Sequence, residues 1–151
     1  MTRLTLALAD RLAGHALAAA RAAGFAPMAV AVTDAGGHVV VARREDGAGH
    51  LRLGIAEGKA WGALGLGFGT REIMELSRAI PQFVQALAAT SQGRVLPSPG
   101  GVIFVDAAGE VLGAIGLSGD TGDHDEACAL AALAAEGLAP MQGRAPLPGR
   151  A

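Results

Sequence analysis

One stretch near the end of the chain decides the fold: residues 100–136 read GGVIFVDAAGEVLGAIGLSGDTGDHDEACALAALAAE. Two apolar runs rich in β-branched residues, Val102–Val105 and Val111–Leu117, flank a short segment with Asp106 at its start and Gly109 at its end. Such runs, separated by turn residues, predict a β-hairpin. This hairpin is the central element of the predicted fold.

A glycine-rich loop and a helix follow this hairpin. Asp123 stands where a helix N-cap is expected, and Glu126 three residues later resembles the second member of a capping box. The loop and the helix start are compatible with a ligand site and equally with ordinary turn chemistry. Because four acidic residues crowd the helix start, an anion site there is disfavoured. We interpret the stretch as scaffold that forms at most one wall of a pocket.

The N-terminal part of the chain repeats the hairpin plan. Helical spacing of Leu and Ala predicts a helix over Arg3–Ala23, which ends at Gly24. Two further apolar runs, Met28–Thr33 and Val39–Arg43, flank the turn sequence Asp-Ala-Gly-Gly. A second hairpin is therefore predicted.

Two helices are predicted between the hairpins: one over residues 50–66, and a second that Pro81 interrupts into the segments 71–79 and 82–89. The first of them contains Gly54, Gly58 and Gly62. An interior glycine costs a helix about 1 kcal/mol relative to alanine. We therefore expect this helix to be pressed closely against another backbone.

The predicted order is α-ββ-α-α-ββ-α. Tight hairpins require antiparallel pairing, so the fold class is α+β, with an antiparallel sheet flanked by helices. Residues 1–139 are predicted to form one domain. The tail, 140–151, holds Pro and Gly without periodicity and is expected to be poorly ordered or draped on a neighbouring subunit.

Composition excludes several classes of function. The chain has 151 residues, a formal net charge of −2 and no basic run, so nucleic-acid binding is not expected. Its one cysteine, Cys128, excludes an internal disulfide and is most simply a small core residue. No run of 18 apolar residues predicts a membrane span, and Asp10 and Arg11 interrupt any signal-peptide core. We expect a cytoplasmic protein.

The chain is apolar for its size, with 51% hydrophobic and 17% charged residues. Much of the excess is alanine, and there are 23 glycines. Small residues permit close backbone packing, which favours a homo-oligomer that buries apolar surface. High-GC codon usage would raise the same residue types without structural meaning, so both explanations stay open.

Several blocks, read in order, resemble the GlcG/HbpS-like family, which includes the C-terminal domain of PduO-type proteins. The blocks are AVAVTDAGGHVVVARREDGA, IAEGKAWGA, LPSPGGVIF and GEVLGAIGLSG followed by DHDEACA, and together the resemblance spans about Leu4–Ala139. The resemblance implies a profilin-like α+β fold, frequent homo-oligomers, and haem or corrinoid-linked binding in some members.

His15 is the candidate haem-iron ligand. Helical spacing places it within the Leu4, Leu8 and Leu12 stripe of the first helix, where imidazole would meet the iron and apolar side chains would cover the porphyrin. The alternative is a buried or interface histidine satisfied by hydrogen bonds.

Charged candidates lie between Arg44 and Lys59. Arg44 and Asp46 either form an ion pair within their loop or contribute to a ligand site; in the latter case Arg44, together with Lys59, attracts a carboxylate or propionate. Lys59 lies on an apolar helix flank, as a ligand-binding or catalytic charge or as a stem that snorkels to solvent.

Other candidates are His50 at a helix start and His124 as a general base at the last helix. Adjacent helix positions point apart, so the acidic residues around His124 are not expected to bind a metal. Gly116 and Ser118 would let backbone approach a ligand, a neighbouring subunit or simply the next turn.

Three functions follow from these candidates. The first is a small-molecule binding protein of the GlcG/HbpS-like type, with haem or a related tetrapyrrole as its ligand. The second is a haem-independent enzyme that acts on a small carboxylated metabolite. The third is a structural or regulatory oligomer without a ligand. Whether the chain is catalytic stays open.

Overall fold

The structure, a computed structural model, describes residues 3–143. In chain order its elements are α1 (Leu6–Ala23), β1 (Ala29–Asp34), β2 (Val39–Arg44), α2 (Leu51–Leu66), α3 (Thr70–Ala79), α4 (Pro81–Thr90), β3 (Gly101–Val105), β4 (Val111–Ser118), α5 (Gly122–Ala135) and β5 (Ala139–Pro140). The predicted α+β class and element order are confirmed. A short strand, β5, extends the order, and the predicted tail beyond residue 143 lies outside the described residues.

The strands form one antiparallel sheet in the order β2-β1-β4-β3-β5. Each hairpin turn is closed by an aspartate that accepts two backbone N–H groups: Asp34 from Gly36 and His38, and Asp106 from Ala108 and Glu110. The two hairpins therefore share one local chemistry, and they join through β1 and β4 at the centre of the sheet.

The two faces of the sheet differ in side-chain size. On β1, Val30 and Val32 pack with α1 and α5, whereas Ala29 and Ala31 pack with α2. Period-two alternation sends successive side chains to opposite faces, and here both faces are buried. The large residues build the main core under α1 and α5, and the small residues let α2 approach closely.

Helix α2 lies almost directly on β4. A side chain at Gly116 would overlap the carbonyl oxygen of Ala56, so only glycine fits there. On another side of α2, a Cβ at Gly58 would lie 2.5 Å from the carbonyl oxygen of Arg94. The predicted close approach is thus present at Gly58, but Gly54 has open space around it.

The start of α5 corrects the sequence-based capping prediction. Thr121, not Asp123, is the N-cap: its side chain accepts a hydrogen bond from the backbone N–H of His124. Asp123 and Glu126 instead pair with Arg71 on α3. A threonine two residues earlier can cap the helix, which leaves both carboxylates free for these tertiary contacts.

Within residues 3–143, no helix combines the length and the apolar character that a membrane span requires.

Candidate functional site

A buried ion pair joins α2 to α5. The Nζ atom of Lys59 lies 3.0 Å from Oδ2 of Asp125 and donates a second hydrogen bond, of 2.9 Å, to the carbonyl oxygen of Leu117 at the end of β4. Lys59 is 2% exposed and Asp125 is 1% exposed. The other carboxylate oxygen of Asp125 accepts the backbone N–H of Asp120 at 3.0 Å. Lys59 therefore neither snorkels to solvent nor faces an open pocket.

Burial and pairing act on this pair in opposite directions. Burial lowers the pKa of Lys59, and the charge of Asp125 opposes that shift. Burial likewise raises the pKa of Asp125, and the charge of Lys59 opposes it. Each partner thus offsets part of the desolvation of the other, as expected of charges taken out of water together.

Arg52 stands beside the pair and was not predicted from the sequence. Its Nη1 atom donates a 3.2 Å hydrogen bond to Oγ of Ser118, which is 1% exposed. The positive charge of Arg52 adds to the lowering of the pKa of Lys59 and opposes the rise in the pKa of Asp125. The spacing of seven residues between Arg52 and Lys59 corresponds to two helical turns, so it places both on one face of α2 and offered a usable signal. Asp125 gave no comparable local signal.

The candidate base His124 is held in place by two contacts. Its Nδ1 atom is hydrogen-bonded to Oδ1 of Asp120 at 2.7 Å, and its ring stacks on Phe25 with centroids 4.0 Å apart. Backbone N–H groups of Ala26 and Thr121 donate to Asp120, and with His124 they lower the pKa of Asp120 to about 2. The imidazole is therefore oriented by a carboxylate and partly open to solvent.

Arg44 and Asp46 line an open groove of about 420 Å³, together with Arg21, Pro27 and Glu45. The loop ion pair considered for Arg44 and Asp46 does not form among the described residues. Glu45 forms the pair instead, at 2.9 Å from Arg21, and it also accepts the N–H of Met28. Arg44 is exposed at the end of the edge strand β2 and pairs with no carboxylate within residues 3–143.

His15 lies on the outer surface of α1. The buried stripe of this helix follows Ala9, Ala13 and Ala16, which let α1 approach α5 and the sheet closely. The predicted position of His15 in the apolar stripe is therefore wrong, because the alanines and not Leu4 and Leu8 mark its centre; His15 is exposed. Its imidazole is reachable from solvent, and its role as an iron ligand stays a prediction.

The surroundings of the remaining candidates, Gly116 and His50, and of Cys128 are as follows. Gly116 accommodates the backbone of α2. His50 precedes α2 and makes no side-chain capping bond. Cys128 is buried, and burial raises the pKa of its thiol.

The structure thus brings Lys59 and Ser118 together where α2 packs on the end of β4, with Arg52 and Asp125 added. His15 lies across the sheet from them, because α1 and α2 pack on opposite faces. Within residues 3–143, no group of three or more His, Cys, Asp or Glu side chains is arranged to hold a metal ion.

The fold defines a class: α+β proteins in which two antiparallel hairpins share one sheet between helices on both faces. Residues 4–134 match the family described as "Haem degrading protein HbpS-like", and the chain belongs to this HbpS-like family. The resemblance identified from the sequence blocks is confirmed.

Three comparisons show how far the likeness extends. An uncharacterised 15.0 kDa protein in the dhaT-dhaS intergenic region of Citrobacter freundii is 32% identical over 130 residues, which cover 86% of this chain and 89% of that protein. The crystal structure of a PduOC:haem complex matches with a TM-score of 0.84 and 26% identity, over 93% of this chain and 100% of that one. The crystal structure of HbpS matches with a TM-score of 0.75 and 33% identity, over 89% and 91% of the two chains.

Proposed function

We propose that this protein binds a small molecule, and that the ligand is haem or a related tetrapyrrole. One observation carries the proposal: the likeness to the PduOC:haem complex extends over 93% of this chain with a TM-score of 0.84. Membership of the HbpS-like family supports the same ligand class.

The chain offers residues that suit haem. Imidazole is a common axial ligand of haem iron. Among the described histidines, His38 and His124 are each hydrogen-bonded through Nδ1 to an aspartate, whereas His15 and His50 have no such partner. His15 is exposed in the middle of a long helix, so its ring is held on a rigid element and open to iron. We therefore assign the iron ligand to His15.

Titration with haemin, followed by the Soret absorbance band, tests the proposal. A saturable, shifted band is expected for the wild type and for the control His38→Ala, which removes another exposed histidine. His15→Ala is expected to lose or weaken the band, and added imidazole is expected to restore it. Absence of any saturable band in the wild type would refute haem binding, and an unchanged band in His15→Ala would refute the ligand assignment alone.

Self-association belongs to the same proposal. Helix α4 contains no charged residue and exposes Phe83, and Ile80 is exposed just before it. Exposed apolar side chains that lie together favour contact with another protein surface. Sedimentation velocity is expected to give a mass above that of the single chain; a strictly monomeric protein, with or without haemin, would contradict this.

A further inference from the structure

The charges where α2 packs on the end of β4 do not balance. Lys59 and Arg52 contribute two positive charges, and Asp125 contributes one carboxylate, which is paired with Lys59. Both oxygens of Asp125 are already engaged, Oδ2 by Lys59 and Oδ1 by the backbone N–H of Asp120. Among the described residues Arg52 forms no ion pair with Asp125, so one of the two positive charges has no carboxylate partner there.

Arg52 has donors to spare. A guanidinium carries five N–H donors, and the hydrogen bond that Arg52 makes to a side chain goes to the hydroxyl of Ser118. In the described part of the chain Arg52 forms no ion pair. The other half-buried or buried basic residues there, Arg43, Lys59 and Arg71, each pair with a carboxylate. The residues with carboxylate partners are Arg11, Arg21, Arg43, Lys59 and Arg71. A half-buried guanidinium next to a like charge is stabilised when an anion occupies its free donors.

Arg44 adds a second unpaired guanidinium at this end of the sheet. Ala29 pairs with Arg44 on one side and with Ser118 on the other, and directly opposed residues share a face of the sheet. Because Ala29 packs with α2, Arg44 and Ser118 flank it on the α2 face. Strands are about 4.8 Å apart, so the two positions lie roughly 10 Å from each other. Asp46, which shares the groove with Arg44, is exposed and forms no ion pair among the described residues.

The first turn of α2 does not supply the missing negative charge. It contains no acidic residue, and His50 makes no capping hydrogen bond. The positive end of the helix thus adds to the potential that the two arginines create.

We propose that Arg52, fixed by Ser118 and assisted by Arg44, binds the carboxylate of a small organic acid. The planar guanidinium fork matches a carboxylate, and the hydrogen bond to a fully buried hydroxyl holds the fork in one orientation. The buried pair of Lys59 and Asp125 lies beside this site and makes no contact with the ligand. Arg52, and not Lys59, binds the carboxylate because Asp125 already neutralises the charge of Lys59.

The carboxylate belongs to a free acid and not to haem bound at His15. Arg52 lies on the α2 face of the sheet and His15 on the outer side of α1, which covers the opposite face. Within one subunit the sheet separates the two residues. The two sites therefore succeed or fail independently.

Two-dimensional ¹H–¹⁵N NMR titration with sodium succinate, at constant ionic strength maintained with sodium chloride, tests this site. The Nε resonance of Arg52, assigned by its loss in Arg52→Gln, is expected to shift saturably. Arg52→Gln is expected to weaken succinate binding about tenfold or more, as loss of a charge-assisted hydrogen-bond pair requires. Arg52→Lys keeps the charge without the fork and is expected to fall between the two. Arg78→Gln, which removes an exposed arginine on α3, is the matched control and is expected to bind as the wild type does.

Three results would overturn the proposal. The first is a wild type whose Arg52 resonance moves no more with succinate than with chloride. The second is unchanged succinate affinity in both Arg52 variants, each shown by circular dichroism to be folded. The third is equal binding of sodium phosphate, which would replace the carboxylate assignment by a general anion site. An unchanged haemin titration in Arg52→Gln is expected and separates this site from the haem proposal.

Discussion

The pairing of Lys59 with Asp125 makes a sharp prediction about stability. Lys59→Met keeps the length of the apolar stem but leaves the carboxylate of Asp125 buried with one remaining hydrogen bond, from the backbone of Asp120. Asp125→Asn leaves the buried ammonium without a counter-charge. The double variant removes both charges and keeps an oxygen that can accept the N–H of Asp120.

The magnitude follows from the geometry. Two unit charges 3.0 Å apart attract by about 5 kcal/mol at an effective dielectric constant of about 20. Taking two ions out of water costs several kcal/mol each, so the intact pair contributes little net stability. Removing one partner leaves the desolvation of the other uncompensated, and each single variant is expected to lose about 3–5 kcal/mol. For a chain of this size that loss corresponds to a decrease in Tm of roughly 6–20 °C. The double variant is expected to stay within about 2 kcal/mol of the wild type.

Urea unfolding, followed by the fluorescence of the one tryptophan, Trp61, measures the free energies of unfolding of the wild type, the two single variants and the double variant. Arg78→Met, which removes an exposed charge, is the control and is expected to change stability by less than about 0.5 kcal/mol.

Without Lys59 the pKa of Asp125 rises further, so the folded state of Lys59→Met holds a proton more tightly than the unfolded state does. Its stability is therefore expected to fall as pH rises. Additive single-variant losses, or a loss below about 1 kcal/mol in Lys59→Met, would refute the reasoning.

Two further predictions concern packing and acid stability. Gly116→Ala on β4 places a methyl group against the carbonyl oxygen of Ala56 and is expected to destabilise the protein by about 1–3 kcal/mol or more. Gly54→Ala, in open space on α2, is expected to stabilise it by up to about 1 kcal/mol, and equal effects of the two variants in thermal unfolding would contradict this. The hydrogen bonds to Asp120 hold its pKa at about 2, below its ordinary value of 3.8, so the stability they contribute is present above pH 3.8 and is lost as pH falls towards 2. Asp120→Asn is expected to flatten the acid-induced loss of stability in this window relative to the wild type and to the control Asp46→Asn, and parallel curves would show that Asp120 has no part in it.

Local chemistry explains why the hairpins and helices were predictable. Asp34 and Asp106 each close their own turn with bonds to residues two and four positions away, so the necessary information lies within five residues. Gly24 ends α1 in a left-handed conformation, with φ of 72°, that glycine adopts without strain. Such signals need no knowledge of the rest of the chain.

The site was predictable only in part. Lys59 was correctly singled out as a charge on an apolar helix flank, but its partner lies 66 positions along the chain. Asp125 belongs to a run of acidic residues, and no pattern within that run marks it as the one that turns inward. Likewise, Glu45 pairs with Arg21, whereas Arg44 and Asp46 form no ion pair within residues 3–143.

The sequence by itself determined the α+β class, the two hairpins, the element order and the membership of the HbpS-like family. Turn, cap and periodicity signals act over a few residues, and the family blocks persist in order along the chain. The tertiary structure alone decided which charges meet. It paired Lys59 with Asp125, left Arg52 without a carboxylate partner among residues 3–143, and turned His15 to the surface. Each of these outcomes depends on how α1, α2 and α5 pack against the sheet, because burial and charge pairing are properties of surfaces brought together from distant parts of the chain.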